Sequence, residues 1–272
     1  MPNRFALRLS AFSALAAAVV LVASPARAQY RPRPLNDPAT GEKYHIEAGV
    51  GLWYPTAEIG ISSTQFNLVG TNVNFKNDLG LTDQRFPEFQ LVLRPTKGAK
   101  FRFQYIPIKY DQSATLSRPI VFNGQRFNVG QAVNSTLDWK AYRFGFEYDF
   151  VVKNRGFAGF IVEAKYTDVR AALATEFARA RAPIPAIGGI ARGYVLPNIS
   201  ITADITGFKL PDTIVKGSSG HYVDVDVYGT LNFTNNIGAQ VGYRSFDVGY
   251  IVQTDTGNLT LKGLYFGAVA RF

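Results

Sequence analysis

Residues 259–272 read LTLKGLYFGAVARF. Side chains alternate across an extended strand, so Leu264, Phe266, Ala268, Ala270 and Phe272 share one face and Gly263, Tyr265, Gly267, Val269 and Arg271 the other. The first face is apolar throughout and finishes on an aromatic ring. The second mixes glycine, one tyrosine and an arginine. A single stretch of this kind is short enough to arise by chance, so its weight depends on whether the pattern recurs.

It recurs along nearly the whole chain. The clearest instance is Leu137 to Phe150, where Tyr142, Phe144, Phe146, Tyr148 and Phe150 alternate with Arg143, Gly145, Glu147 and Asp149. Similar runs begin at Tyr44 (Ile46, Val50 and Leu52 against Glu47 and Trp53), Phe86, Phe101, Phe160, Ile199, Val223 and Ile237. A weaker one spans Ile187 to Val195. The count is about ten, with eight or twelve also compatible. Alternation alone would equally suit a soluble sandwich with its aromatic face inward. The connections separate the two. Long polar stretches at 55–85, 111–135 and 211–220 alternate with tight turns at 95–98, 153–156, 196–198 and 235–236. Inside the second long stretch, Phe122 to Phe127 (FNGQRF) predicts a hairpin with Asn-Gly at its turn. Ala171 to Ala182 is alanine-rich and stops at Pro183, which predicts a short loop helix. Gly49 and Gly51 stand in a strand with no helix after them, so they read as small lumen residues rather than a nucleotide loop.

At the other end of the chain, Arg4 and Arg8 precede an uncharged run from Ala11 to Ala23, followed by Pro25 and Ala26-Arg27-Ala28, the layout of a cleaved signal peptide over residues 1–28. The apolar core is shorter than the roughly 20 residues of a spanning helix. Cleavage removes Arg4, Arg8 and Arg27 and no acid, so the formal charge of +9 falls by three to +6. Residues 29–43, rich in proline and without periodicity, read as a flexible lead-in, and residues 44–272 as a single domain. No basic cluster suits nucleic acid. With no cysteine there is no disulfide framework and no thiolate zinc site.

Taken together, the apolar-and-aromatic alternation run out to Phe272, the export signal and the unequal connections resemble bacterial outer-membrane β-barrels. The chain is similar to the small-barrel class that includes OmpA-type transmembrane domains and OmpW-like proteins. That resemblance implies an all-β fold, a closed antiparallel up-and-down transmembrane barrel, in the cell outer membrane. It also implies that Leu264, Phe266 and Phe272 carry the mark read by the barrel-assembly machinery, with periplasmic chaperones, membrane lipid and lipopolysaccharide as the other partners. The tight turns would then lie in the periplasm. No subfamily motif carries further residues over.

If the apolar faces meet lipid, Glu47, Arg94, Arg102, Arg143, Glu147, Glu163, Lys165, Asp224, Asp226, Arg244 and Arg271 point into the lumen, joined by Glu88, Asp149 and Asp204. Both signs interleave, and a ten-stranded barrel is narrow, so they are expected to cross-pair into a plug. Asp224 and Asp226 are expected to face Arg244 on the next strand. A structural or loop-mediated surface role follows, with a narrow channel for small or hydrophobic solutes as the alternative. A lipid-modifying enzyme using His221, beside Ser218 and Ser219, is the third reading; the residues show no triad spacing, no metal-ligand spacing and no cofactor loop.

Overall fold

The computed structural model describes residues 39–63, 70–252 and 255–272. The expected signal peptide and residues 29–38 of the lead-in lie outside the described residues. The elements are β1 (Ile46–Ser62), β2 (Val73–Asn74), β3 (Phe86–Leu93), β4 (Ala99–Thr115), β5 (Ile120–Phe122), β6 (Gln125–Phe127), β7 (Ala132–Lys153), β8 (Gly156–Leu173), β9 (Glu176–Leu196), β10 (Ile199–Val215), β11 (Ser218–Asn232), β12 (Ile237–Val252) and β13 (Asp255–Arg271). Ten of them, all but β2, β5 and β6, form an antiparallel up-and-down sheet in sequence order, and β13 pairs with β1 to close it. The closing seam is continuous from Glu47↔Arg271 to Ser62↔Thr256. Closure leaves no ladder edge in this part of the wall.

The barrel is apolar outside and polar inside. Phe144, Phe146, Tyr148 and Phe150 of β7 are exposed while Arg143, Glu147 and Asp149 are buried, and the same parity holds for Val50 and Leu52 against Glu47 on β1. Such a surface is stable only against hydrocarbon, since in water this belt of rings would drive aggregation. The rings pair across strands, with Tyr105 stacked on Tyr142 at 4.7 Å and Phe103 beside Phe144 at 5.0 Å. A tyrosine row crosses the wall at Tyr105↔Tyr142↔Tyr166, and Tyr54 and Tyr243 flank Leu264 at the same level. Above this row the outward positions turn polar, with Lys140 opposite Asp168 and Lys109 ion-paired to Asp111. The tyrosines therefore mark one membrane interface, and the strands project beyond it.

That projection replaces much of what reads as loop in the sequence. Most barrel strands run 15 to 22 residues, against the roughly 9–11 that a bilayer needs. Stretches 111–135 and 211–220 are largely strand, and Asp255–Asn258 belongs to β13. The helix expected over Ala171 to Ala182 is absent: these residues form the tip of the β8–β9 hairpin, paired from Ala171↔Ala178 to Leu173↔Glu176, with Ala174 at φ 51° in the turn. Alanine favours helix only weakly, and continuous ladder pairing with Ala171 and Leu173 buried inside outweighs that preference. The hairpin expected at Asn123-Gly124 is present, both residues having positive φ (51° and 78°) as its turn requires.

Two stretches of wall are not laddered. β3 pairs with β4 only between Phe89↔Tyr105 and Leu93↔Phe101, so above that level the gap between β1 and β4 is filled by residues 70–85. β9 and β10 pair as far as Ile187↔Gly207 and then separate, although β9 stays paired to β8, and β10 to β11 as far as Leu210↔Gly220.

Candidate functional site

The interior has two storeys of opposite character. The lower one is filled by charge. Lys100 meets Glu147 (2.5 Å) and Asp149 (2.9 Å); Arg102 bridges Glu147 (2.7 Å) and Asp204 (3.1 Å). Arg143 pairs with Glu163 and reaches Asp204 at 3.2 Å, and Lys165 joins Glu163 (2.9 Å) to Asp224 (2.8 Å). Arg244 closes the ring on Asp224 (2.7 Å) and Glu88 (3.2 Å) and donates to the Gln104 side-chain oxygen at 2.9 Å. Asp226 accepts the Tyr265 hydroxyl at 3.0 Å, and Arg271 holds Glu47 at 2.5 Å. Every side chain in this layer except Arg102 is less than 10 % exposed. In so dry a space an unpaired charge would cost several kcal/mol, so the interleaved signs are what lets the layer exist.

The end that carries the tight turns is strapped as well. Residues 39–43, expected as the end of a flexible lead-in, cross the mouth: the Ala39 and Thr40 amides donate to the carbonyls of Asn154 and Pro197 at 2.9 and 2.8 Å, and the Gly41 amide donates to the Asn235 side chain. Glu42 then pairs with Arg192 (3.2 Å) and Arg94 (3.6 Å) and accepts the Tyr194 hydroxyl. Buried cations, rather than composition, order this proline-flanked segment.

Of the eleven charged positions expected in the lumen, ten are buried and Arg102 is partly buried. Sequence reasoning missed Lys100, Arg192 and Glu42. Lys100 stands one residue before the visible alternation, Arg192 in the glycine-blurred run, and Glu42 outside any strand. Asp226 is the cross-strand neighbour of Arg244, yet the guanidinium leans diagonally to Asp224. Leu264, Phe266 and Phe272 all face outward, and the Phe272 backbone is tied to Ile46 at 2.9 Å in both directions.

Above the charges the lining becomes apolar. The transition is a layer of rings over cations, with the Lys165 ammonium 4.2 Å from the Tyr222 ring and Arg244 between Trp53 and Phe246 (5.9 and 5.7 Å). Over it lies a chamber of about 660 Å³, walled by Ile59, Leu137, Trp139, Val169, Ile184 and Phe208 among others, with polar groups at its rim. Trp139 is fixed there by donating to the Thr167 hydroxyl at 2.8 Å. On the opposite side, residues 70–85 and the β5–β6 hairpin pack Val73, Phe75, Leu79, Phe122 and Phe127 into the same storey as a cap.

The two cap segments are joined by an ion pair and by two hydrogen bonds between Thr71 and Val121. Arg118 donates to both carboxylate oxygens of Asp78 (2.7 and 2.5 Å) and to the Asn72 carbonyl. The hydrogen bonds from Arg118 hold the Asp78 carboxyl below the usual carboxylate range. Its folded pKa lies below its unfolded one, so this pair contributes at neutral pH and is lost as pH falls through the depressed value. Limited proteolysis of residues 70–85 should therefore accelerate on acidification. Arg118→Ala should cleave fast already at neutral pH, and an unchanged cleavage rate would remove the clasp from the account.

His221 faces outward on β11, its Nε2 3.6 Å from Asp247, and borders the chamber with Ser218 and Ser219, while Asp224 and Asp226 point into the charged layer. Among the described residues no three His, Asp or Glu side chains converge as a metal site.

No protein-family model matches the sequence, and no curated protein matches it either. Solved structures do match in fold. The outer membrane protease OmpT from Escherichia coli superposes with a TM-score of 0.52 at 7 % identity, over 84 % of this chain and 96 % of that one. The Pseudomonas putida toluene transporter TodX gives a TM-score of 0.36 at 9 % identity (87 % and 92 % covered). Ail of Yersinia pestis gives 0.34 at 6 % (82 % and 99 %). At these identities the likeness concerns architecture, and on the OmpT superposition and its own closed sheet this chain has the fold of a bacterial outer-membrane β-barrel.

Proposed function

We propose that the chain resides in the outer membrane as a barrel that does not conduct along its axis and whose projecting half is a receptor cup for a small apolar ligand. The observation that carries this reading is the stacking of an apolar chamber of about 660 Å³ directly on a cross-section filled by ion pairs. A chamber of this size, lined mainly by apolar side chains with a few polar ones among them, is the ordinary form of a small-molecule site. The paired charges beneath it oppose an aqueous path, which favours the surface role over the narrow-channel alternative. His221, half-exposed and outward, offers little to an enzymatic reading. Delivery to this membrane by assembly machinery acting on Leu264, Phe266 and Phe272, and contact with lipopolysaccharide, belong to the same proposal.

Two measurements test it. In planar bilayers the purified protein is expected to give no discrete conductance steps; regular steps would overturn the sealed barrel. In native mass spectrometry the protein is expected to retain one added dodecanol, and Ala178→Phe, which fills the chamber, should release it. Absent or unselective retention would overturn the cup.

A further inference from the structure

The unladdered β9–β10 stretch gives the chamber a side door. Up to Ile187↔Gly207 the two strands are in register. Continuing that register would set Ala186 opposite Phe208, Pro185 opposite Lys209, Ile184 opposite Leu210 and Pro183 opposite Pro211, and none of these pairs forms. Three prolines stand at these positions, and each lacks the N–H that a ladder needs. An open edge at membrane depth is tolerated only where it lines a cavity, and fewer orphan donors lower its cost. Both banks do line the chamber: Ile184 and Pro185 on β9, Phe208 and Leu210 on β10.

The level of the door is set by the neighbouring strand. Pro183 is opposite Tyr166 in the tyrosine row, and Ile187 is opposite Val162, deeper in the apolar belt. The door therefore opens below the interface, among lipid chains. Directly above it on the outward face of the same bank stand Arg181 and Arg179, opposite Asp168 and Arg170. Both arginines share the single Asp168 carboxylate (3.2 and 2.7 Å), and Arg170 lies over the Phe177 ring beside them. On the next strand Asp138 is opposite Arg170 and Lys140 opposite Asp168, so four cations and two carboxylates leave a net positive cluster at head-group height.

We propose that the chamber seats an acyl chain of an anionic amphiphile taken from the surrounding leaflet through the β9–β10 door, with the head group held outside by Arg179 and Arg181. The proposal rests on reading the chamber as a ligand cup. It explains why the gap and the cations stand together on one bank of the chamber. The charged floor makes this a seat and not a passage.

The test uses Trp53→Phe protein, in which Trp139 is the sole indole of a chain with two tryptophans. Trp139 is buried inside the wall, on the chamber. Bromine quenches an indole only on contact, so brominated acyl chains in the bilayer reach Trp139 only by entering. In phosphatidylcholine vesicles, dibrominated phosphatidylglycerol is expected to quench Trp139 several-fold more than dibrominated phosphatidylcholine. Arg179→Ser with Arg181→Ser should abolish that difference. The chain has no native cysteine, so Ala186→Cys with Phe208→Cys, joined by a short bis-maleimide, can close the door and should abolish quenching altogether. Quenching that survives the cross-link would overturn the lateral route. Quenching by free brominated fatty acid but not by the brominated lipids would move the source to solution and also overturn the proposal. If the lipids leave Trp139 bright while dodecanol is still retained, this inference falls and the cup stands; if both fail, both fall.

Discussion

Arg244→Met is expected to destabilise the barrel by about 3–5 kcal/mol, the usual result of removing one partner from a buried ion-pair network. Arg244 is 1 % exposed and serves three groups at once, Asp224, Glu88 and Gln104. Without it Asp224 keeps Lys165 at 2.8 Å, but the buried Glu88 is left with only the neutral Gln90 and Gln104 amides and no cation. The methionine fills most of the volume, so the loss reports charge and not a cavity. Thermal midpoints, and the fraction running as the fast unheated band on SDS gels, would measure it. Adding Glu88→Gln should recover part of the loss, because the orphaned carboxylate is then neutral. Stability equal to the parent would mean that the lower lumen is wet, and the sealed barrel would fail with it.

Gly263→Val is expected to act on closure itself. Gly263 faces Pro55 across the β1–β13 seam, and a Cβ there would lie against the Tyr54 carbonyl oxygen and the Pro55 backbone. Pro55 has no N–H to give, so the strands approach through the space that the glycine leaves. The carbonyl of Gly263 also accepts the Trp53 indole at 3.3 Å, which holds the floor of the apolar storey. A valine must push the backbones apart; overpacking of this kind costs about 1–3 kcal/mol in a core and more where backbone must move. The expected outcome is a marked loss of folded protein in the membrane fraction. Gly193→Ala, whose added carbon would meet nothing within 4 Å, should fold as the parent does. Equal yields from both variants would show that the seam tolerates spreading.

Much of the architecture is written locally. Tyr142 to Phe150 announces its own inward and outward faces because a strand alternates with period two whatever its neighbours are. The Asn123-Gly124 turn is local for the same reason, since it depends on two residues adopting positive φ. The alanine-rich stretch 171–182 misleads, because its intrinsic preference is weak and its partners lie on another strand. The hydrogen-bonding of residues 39–43 is equally illegible, since the groups that hold them come from Asn154, Arg192, Pro197 and Asn235.

The sequence by itself, through its alternation together with the unequal connections and the layout of residues 1–28, determined a membrane-facing sheet of about ten strands and which residues turn inward. Tertiary structure alone decided what those inward residues do. Arg102 meets Asp204 and Arg244 meets Glu88 only because closing the sheet brings opposite walls within a side chain's reach. The apolar chamber and the β9–β10 door likewise depend on register and on where pairing stops, which are properties of two strands together and are carried by neither alone.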